Sequence, residues 1–421
     1  MRFNGIYEFR ISNLIKFIFI MPFLFALFMQ ILHFPSIVKY SLDVCWIILL
    51  FFLMRNNFRR KNEYYSKVLS IWIISYFIYT IIVYMFKFQS PLYYLWGLRN
   101  NFRFYVFFFS CIYMLKRRDI DKILRLFDYI FWINFFVCLY QFFIQGYRQD
   151  LLGGVFGTQT GCNGYLNIFM IIVLTKTIVY YINKKETIYM FITKLAITLL
   201  IAALSELKFF YVEMVVIVAV AVLQSTFSWK KVFLILSFYV GVYLGLQLLS
   251  YYFPSSDNSS YTIMGLIQGG ASAGGYTATN DFNRLTGVSI INQQFLTTLP
   301  QKIFGLGLGN CDSNLSYEFL ITPFAKLYTH LHYGWFMLPF SYLEVGIIGL
   351  IFIFGFFILV FIFARKKMKS RIVEPELCQM SMIMGGCAIM LIIYNASLRT
   401  EAGYMLYFVL SLPFIRKNRK N

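Results

Sequence analysis

The side chains best suited to chemistry are few, and most stand in or beside one polar stretch, residues 251–335. His330 and His332, in THLHYGW, close that stretch, and an imidazole with an ordinary pKa of about 6.5 is suited to proton transfer. Either could serve as a catalytic base. As a metal pair they lack a third carboxylate or thiolate at ligand spacing, so no metal is expected. Arg99 and Arg103 lie four residues apart and share one helix face. They read either as headgroup-snorkelling residues or as an anion clamp turned toward the bundle. Lys208, in SELKFF, sits at membrane depth, where a charge is costly and usually faces a partner or a wet cavity. Its internal alternatives are ion pairs with Glu206 or Glu213, and Arg284 has Asp281 three residues away as an equivalent partner.

The elements that must position these groups are membrane helices. The chain is 59% hydrophobic, 21% aromatic and 13% charged, which excludes an ordinary soluble domain. A crossing helix needs roughly 20 apolar residues. On that measure the sequence predicts an all-α polytopic membrane protein of about 12 transmembrane helices. The crossings fall near 12–32, 40–54, 67–86, 102–115, 123–144, 163–182, 187–204, 209–227, 232–252, 336–363, 377–394 and 403–415. Three regions follow: helices in 1–252, one large extracytoplasmic loop in 253–335, and further helices with a basic tail in 336–421.

The net charge of +20 raises the question of a nucleic-acid partner. The basic residues answer it, because they punctuate the gaps between apolar runs and form no single patch. All but Lys39, Lys87, Arg99, Arg103, Arg148, Lys208, Arg284, Lys302, Lys326 and Arg399 fall on one side of the alternation. The positive-inside rule places the dense set and both termini in the cytoplasm, with the long loop outside. No nucleic acid is expected, and membrane lipids are the surroundings.

The loop is rich in Gly, Ser, Thr and Asn, yet segments such as VSIINQQFL and FLITPFAKLY suit short helices lying on the membrane. An ordered cap is therefore expected. Neither its glycine run at 265–275 nor FGLGLGN at 304–310 fits a phosphate loop or a dinucleotide fingerprint, since strand, helix and spacing are missing. Upstream, GVFGTQTGCNGY offers turns and hydrogen-bonding side chains at Thr158, Gln159, Thr160 and Asn163. Cys162 and Cys311 both fall on the outer side, where a disulfide between them is conceivable.

Several pieces in this order resemble the bacterial O-antigen ligase and Wzy-type polysaccharide polymerase superfamily of integral membrane glycosyltransferases. They are NDFNRLTG with Arg284, PQKIFGLGLGN with Gly305, Gly307 and Gly309, then His330 and His332, then YLEVGIIGL with Glu344, Gly346 and Gly349. GVFGTQTGCNGY resembles the family's GxFGxxN segment, and SELK resembles its Ser followed by Arg or Lys at a tight outer tip. The resemblance covers about residues 90 to 360. His332 is followed by Tyr333 where the ligases usually carry Asn, which favours the more variable polymerases.

The resemblance implies a donor glycan on undecaprenyl diphosphate, transferred outside the cytoplasmic membrane of a bacterium to an acceptor hydroxyl for capsule, exopolysaccharide or O-antigen. It implies Arg284, with Lys208 and Arg99 or Arg103, as cations for the departing diphosphate. His332, His330 or Asp281 would then be the base, and Gly307, Gly309 and Asn310 would line the substrate. No cofactor is implied, and a flippase and a chain-length regulator of the same pathway are the implied partners. A glycan ligase is the alternative, and a polysaccharide flippase is the other. The missing internal repeat and the one-sided polar insert argue against transport.

Overall fold

The apolar runs fold as helices because nothing in a bilayer satisfies a backbone amide except the segment itself. A computed structural model describes residues 3–57, 63–87, 89–224, 229–254, 282–284, 286–312 and 317–415. Among them are α1 (Phe3–Ala26), α2 (Ser41–Asn57), α3 (Tyr64–Lys87), α4 (Pro91–Met114), α5 (Arg117–Leu139) and α6 (Cys162–Ile182). There follow α7 (Ile188–Leu204), α8 (Lys208–Leu223), α9 (Trp229–Tyr252), α10 (Met337–Lys369), α11 (Pro375–Tyr394) and α12 (Gly403–Ser411). Among the described residues, each expected crossing overlaps one of these helices. No strand occurs among the described residues.

Among the described residues, eight segments are long and apolar enough to cross a membrane: Ile11–Ile31, Ile37–Arg55, Tyr64–Lys87, Arg117–Ile144, Cys162–Ile182, Trp229–Tyr252, Met337–Lys369 and Pro375–Tyr394. The protein is thus a multi-pass helical membrane protein. Helix α4 is long enough but carries Arg99 and Arg103, while α7, α8 and α12 are shorter. The most deeply buried helices are α6, α11 and α12, whereas α2, α3 and α9 present Ile47, Phe51, Ile74, Ile78, Tyr239 and Tyr243 outward. An apolar rim around a packed interior is what lipid requires.

Short connections make neighbours antiparallel, and charges gather at the two ends. One end holds Lys16–Asp119 at 2.6 Å, Lys194–Glu186 at 2.5 Å and Arg117–Glu374 at 3.3 Å. The other holds Asp43, Arg99, Lys208, Asp312, Arg399 and Glu401. Dense and sparse basic sets thereby separate.

The helix that shapes the second end is broken. At Gly346, α10 adopts φ 61° and ψ −165°, a conformation open essentially only to glycine. The break lies nine residues in, roughly 14 Å along the axis. It frees carbonyls that the FGLGLGN turn then satisfies: Leu306 N donates to Leu343 O at 2.8 Å, and Gly307 N to Glu344 O at 2.9 Å. Tyr79 of α3 donates its hydroxyl to Val345 O at 2.7 Å. The fit is backbone against backbone, since a Cβ on Gly346 would stand 2.4 Å from Ile303 O and one on Gly305 2.5 Å from the Glu344 carbonyl.

Gly346→Ala should therefore destabilise the protein by about 1–3 kcal/mol, read as a lower melting temperature in detergent. Gly334→Ala, whose Cβ would meet nothing nearer than Phe340 at 4.0 Å, should melt like wild type. Equal melting of both variants would remove the break from any structural role.

Candidate functional site

Helix α4 carries Arg99 and Arg103 on one face, as their spacing requires, but both are already engaged. Arg99 forms a fork with Asp43 of α2, Nε to Oδ1 at 2.9 Å and Nη2 to Oδ2 at 3.0 Å, and lies over Trp96 at 4.7 Å. Arg103 is buried, with Nη1 3.3 Å from Glu401 Oε1, and Nη2 donates to Arg399 O at 2.6 Å. Between them Asn100 donates to Asp312 Oδ2 at 2.5 Å. Arg399 reaches the same oxygen at 3.3 Å and lies 3.4 Å over the Phe340 ring. Three guanidiniums thus meet three carboxylates. The network is neutral, so the geometry is neither the snorkelling pair nor the free clamp that the sequence allows.

Glu401 is its most perturbed member outside the helices. Burial pushes its carboxyl up, but the Arg103 guanidinium and the Tyr165 hydroxyl, which donates to Oε2, more than offset this and hold it at about 2.

The glycine turn is likewise occupied by the protein. Gly307 and Gly309 are buried, and the Glu344 carboxylate accepts from Gly309 N at 3.0 Å and Cys311 N at 3.4 Å. Asn310 donates its side-chain amide to Leu306 O at 2.8 Å, and Gln89 donates to Leu308 O at 2.7 Å. A Cβ on Gly309 would come within 2.0 Å of Tyr93 O, so the turn also lies directly on α4. Gly307 and Gly309 thus lie backbone to backbone against α10 and α4. The GVFGTQTG segment is pinned similarly: Asn134, Gln141 and Gln30 accept from Val155 N, Gly154 N and Thr158 N at 3.0, 2.7 and 3.1 Å. Gln159 and Thr160 stay exposed.

Arg284 differs from the other expected cations. Its guanidinium lies 4.1 Å from the centre of the Tyr394 ring and 5.6 Å from that of Phe336, and among the described residues it makes no ion pair. Phe209 stacks on Tyr394 at 3.7 Å, with the planes 4° apart, so that ring is sandwiched between Phe209 and Arg284. This brings Lys208, the neighbour of Phe209, to the same place; Lys208 pairs with Glu206 at 2.8 Å, the first of its internal alternatives. The Tyr394 phenol lies in the field of Arg284, Lys208, Glu213 and Asp150.

The histidines approach through the backbone, because Phe282 N donates to Leu331 O at 3.0 Å and ties the Arg284 segment to THLHYGW. His332 takes φ 52° and stacks on Trp335 at 3.9 Å, while His330 is exposed. Asp281 lies outside the described residues. Cys162 and Cys311 are free and separately buried: Cys162 Sγ donates to Asp150 O at 3.3 Å, and Cys311 O accepts from Tyr333 at 2.6 Å. The conceivable disulfide is not formed.

Sequence reasoning missed Tyr394, Phe209, Arg399 and Glu401. The signal for the last two was charge balance, since every outward carboxylate of the network needs a named partner. The sequence matches no protein-family model and no curated protein.

The Glu401 carboxyl is held below its usual 4.5, so its stabilisation is present above about pH 4.5 and is lost as the pH falls toward 2. Thermal melting in detergent should show this loss in wild type and lack it in the double variant Arg103→Leu, Glu401→Leu. Arg103→Leu alone leaves a buried charge unpaired and should cost about 3–5 kcal/mol. Parallel acid profiles for wild type and the double variant would refute the assignment.

Proposed function

We propose that the protein is a polymerase of undecaprenyl-diphosphate-linked oligosaccharide repeat units, working on the outer face of a bacterial cytoplasmic membrane, with both termini cytoplasmic and twelve helices crossing. The observation that carries this reading is the half-buried Arg284, held on Tyr394 beside Lys208 with no carboxylate partner among the described residues. The other cations at this end that the sequence singled out are in ion pairs. A fixed, desolvated guanidinium is suited to a diphosphate, whose negative charge grows as the bond to the sugar breaks.

In the transfer, the acceptor hydroxyl oxygen bonds to the anomeric carbon of the donor glycan while the bond from that carbon to the diphosphate oxygen breaks. The hydroxyl proton passes to a base, and the electron pair of the broken bond leaves with the diphosphate. His332 is the base best supported by position, because its segment is hydrogen-bonded to that of Arg284. His330 and Asp281 are the alternatives. An apolar pocket of about 320 Å³, walled by Tyr40, Leu92, Leu95, Trp96 and Phe319, suits an isoprenoid tail. A flippase would supply the donor, and a chain-length regulator would act on the product.

Arg284→Ala at wild-type protein level should lower polymer formation by about 10²–10³-fold, with single lipid-linked repeat units accumulating on the outer leaflet. Polymer of normal length that fails to reach its final acceptor would instead make the protein a ligase. Units retained on the inner leaflet would make it a transporter and overturn the reading.

A further inference from the structure

The one carboxyl wholly enclosed by α6, α8 and α11 takes no part in the proposed transfer. Glu213 of α8 is fully buried, five residues past Lys208 and thus roughly 7.5 Å deeper along the helix. Asn167 of α6, also buried, donates Nδ2 to Glu213 Oε2 at 2.9 Å. The remaining oxygen on each side chain, Glu213 Oε1 and Asn167 Oδ1, has no hydrogen-bond partner. Two buried acceptors left over in one bonded pair need an explanation, because each such atom costs about 1–3 kcal/mol.

A single proton supplies it. An ionised carboxylate here would be a buried charge without a cation in contact, which is strongly unfavourable. The titratable groups that feel it are Cys387 and Tyr394 of α11, and α6 offers only the Asn167 amide. A proton on Oε1 would remove the charge and turn one of the two leftover acceptors into a donor, in a pair already joined by the Asn167 Nδ2 bond to Oε2. A sodium ion could accept the same two oxygens but needs several more. Among the described residues no second carboxylate joins Glu213 in a cluster of three His, Cys, Asp or Glu side chains, and the two buffers of the test below separate a proton from sodium.

We infer that Glu213 is carried as a neutral carboxylic acid paired with Asn167, forming a proton-binding site within the membrane-embedded part of the protein. Phe209, one turn before Glu213 on α8, stacks on Tyr394, the ring that seats Arg284. The inference does not depend on the transferase reading.

Infrared difference spectra of the purified protein, wild type minus Glu213→Gln, test it at neutral pH in potassium and in sodium buffer. The expected result is a protonated-carboxyl C=O band present in wild type, lost in the variant and equal in both buffers. Loss of an ionised-carboxylate band instead overturns the inference, as does a C=O band that vanishes in sodium. Should Glu213→Gln fail to fold, Asn167→Leu keeps the acid and removes its partner. The C=O band should then move to higher wavenumber, and an unmoved band overturns the pairing.

Discussion

The end of the structure that holds Arg99, Arg399 and Glu401 depends on the carbonyls that α10 releases at Gly346. A helix interrupted inside a membrane protein exposes acceptors that lipid cannot satisfy, so protein must satisfy them. Here the amides of Leu306 and Gly307 and the hydroxyl of Tyr79 do so. The glycines of FGLGLGN follow from that requirement: amides must approach the opened helix at hydrogen-bond distance, and a Cβ at Gly305 or Gly309 would strike backbone. Glu344, two residues before the break, closes the arrangement by accepting from the turn it faces. One interrupted helix thereby anchors the polar loop to the bundle.

The second constraint is charge balance at the same end. Arg99, Arg103 and Arg399 are matched by Asp43, Glu401 and Asp312, and the matching holds α4 against α2, the turn after FGLGLGN and the α11–α12 connection. A neutral network contributes rigidity and little field. Arg284 stands outside it, on an aromatic face, and so keeps a charge that a ligand can meet. Tyr394 then matters twice, as the seat of that guanidinium and as the ring on which Phe209 of α8 stacks.

Hydropathy made the helices legible and misplaced their polar ends. The expected run at 102–115 is the apolar part of α4, which begins at Pro91 because ion pairs, not lipid, hold the turn around Arg99–Asn101. Arg284, Lys208, Glu344 and the glycine turn all stood out in the sequence by type. Their relations did not, since the turn meets Glu344 across 35 residues, Arg99 meets Asp43 across 56 and Arg103 meets Glu401 across 298. Spacing along a helix shows which side chains share a face, but not what lies opposite it. Cys162 and Cys311 illustrate the same limit, being expected on one side of the membrane and found unbonded, each buried in its own surroundings.

The long span between Arg103 and Glu401 also sets an order of events during synthesis. A ribosome completes α4 long before it reaches Glu401, so in nascent chains Arg103 has no permanent counterpart until the final connection emerges, whereas the partner of Arg99, Asp43, is already made. The FGLGLGN turn, by contrast, is made before Gly346 and waits for the break that it will close. Assembly of this end is therefore completed late, when the connection between α11 and α12 arrives.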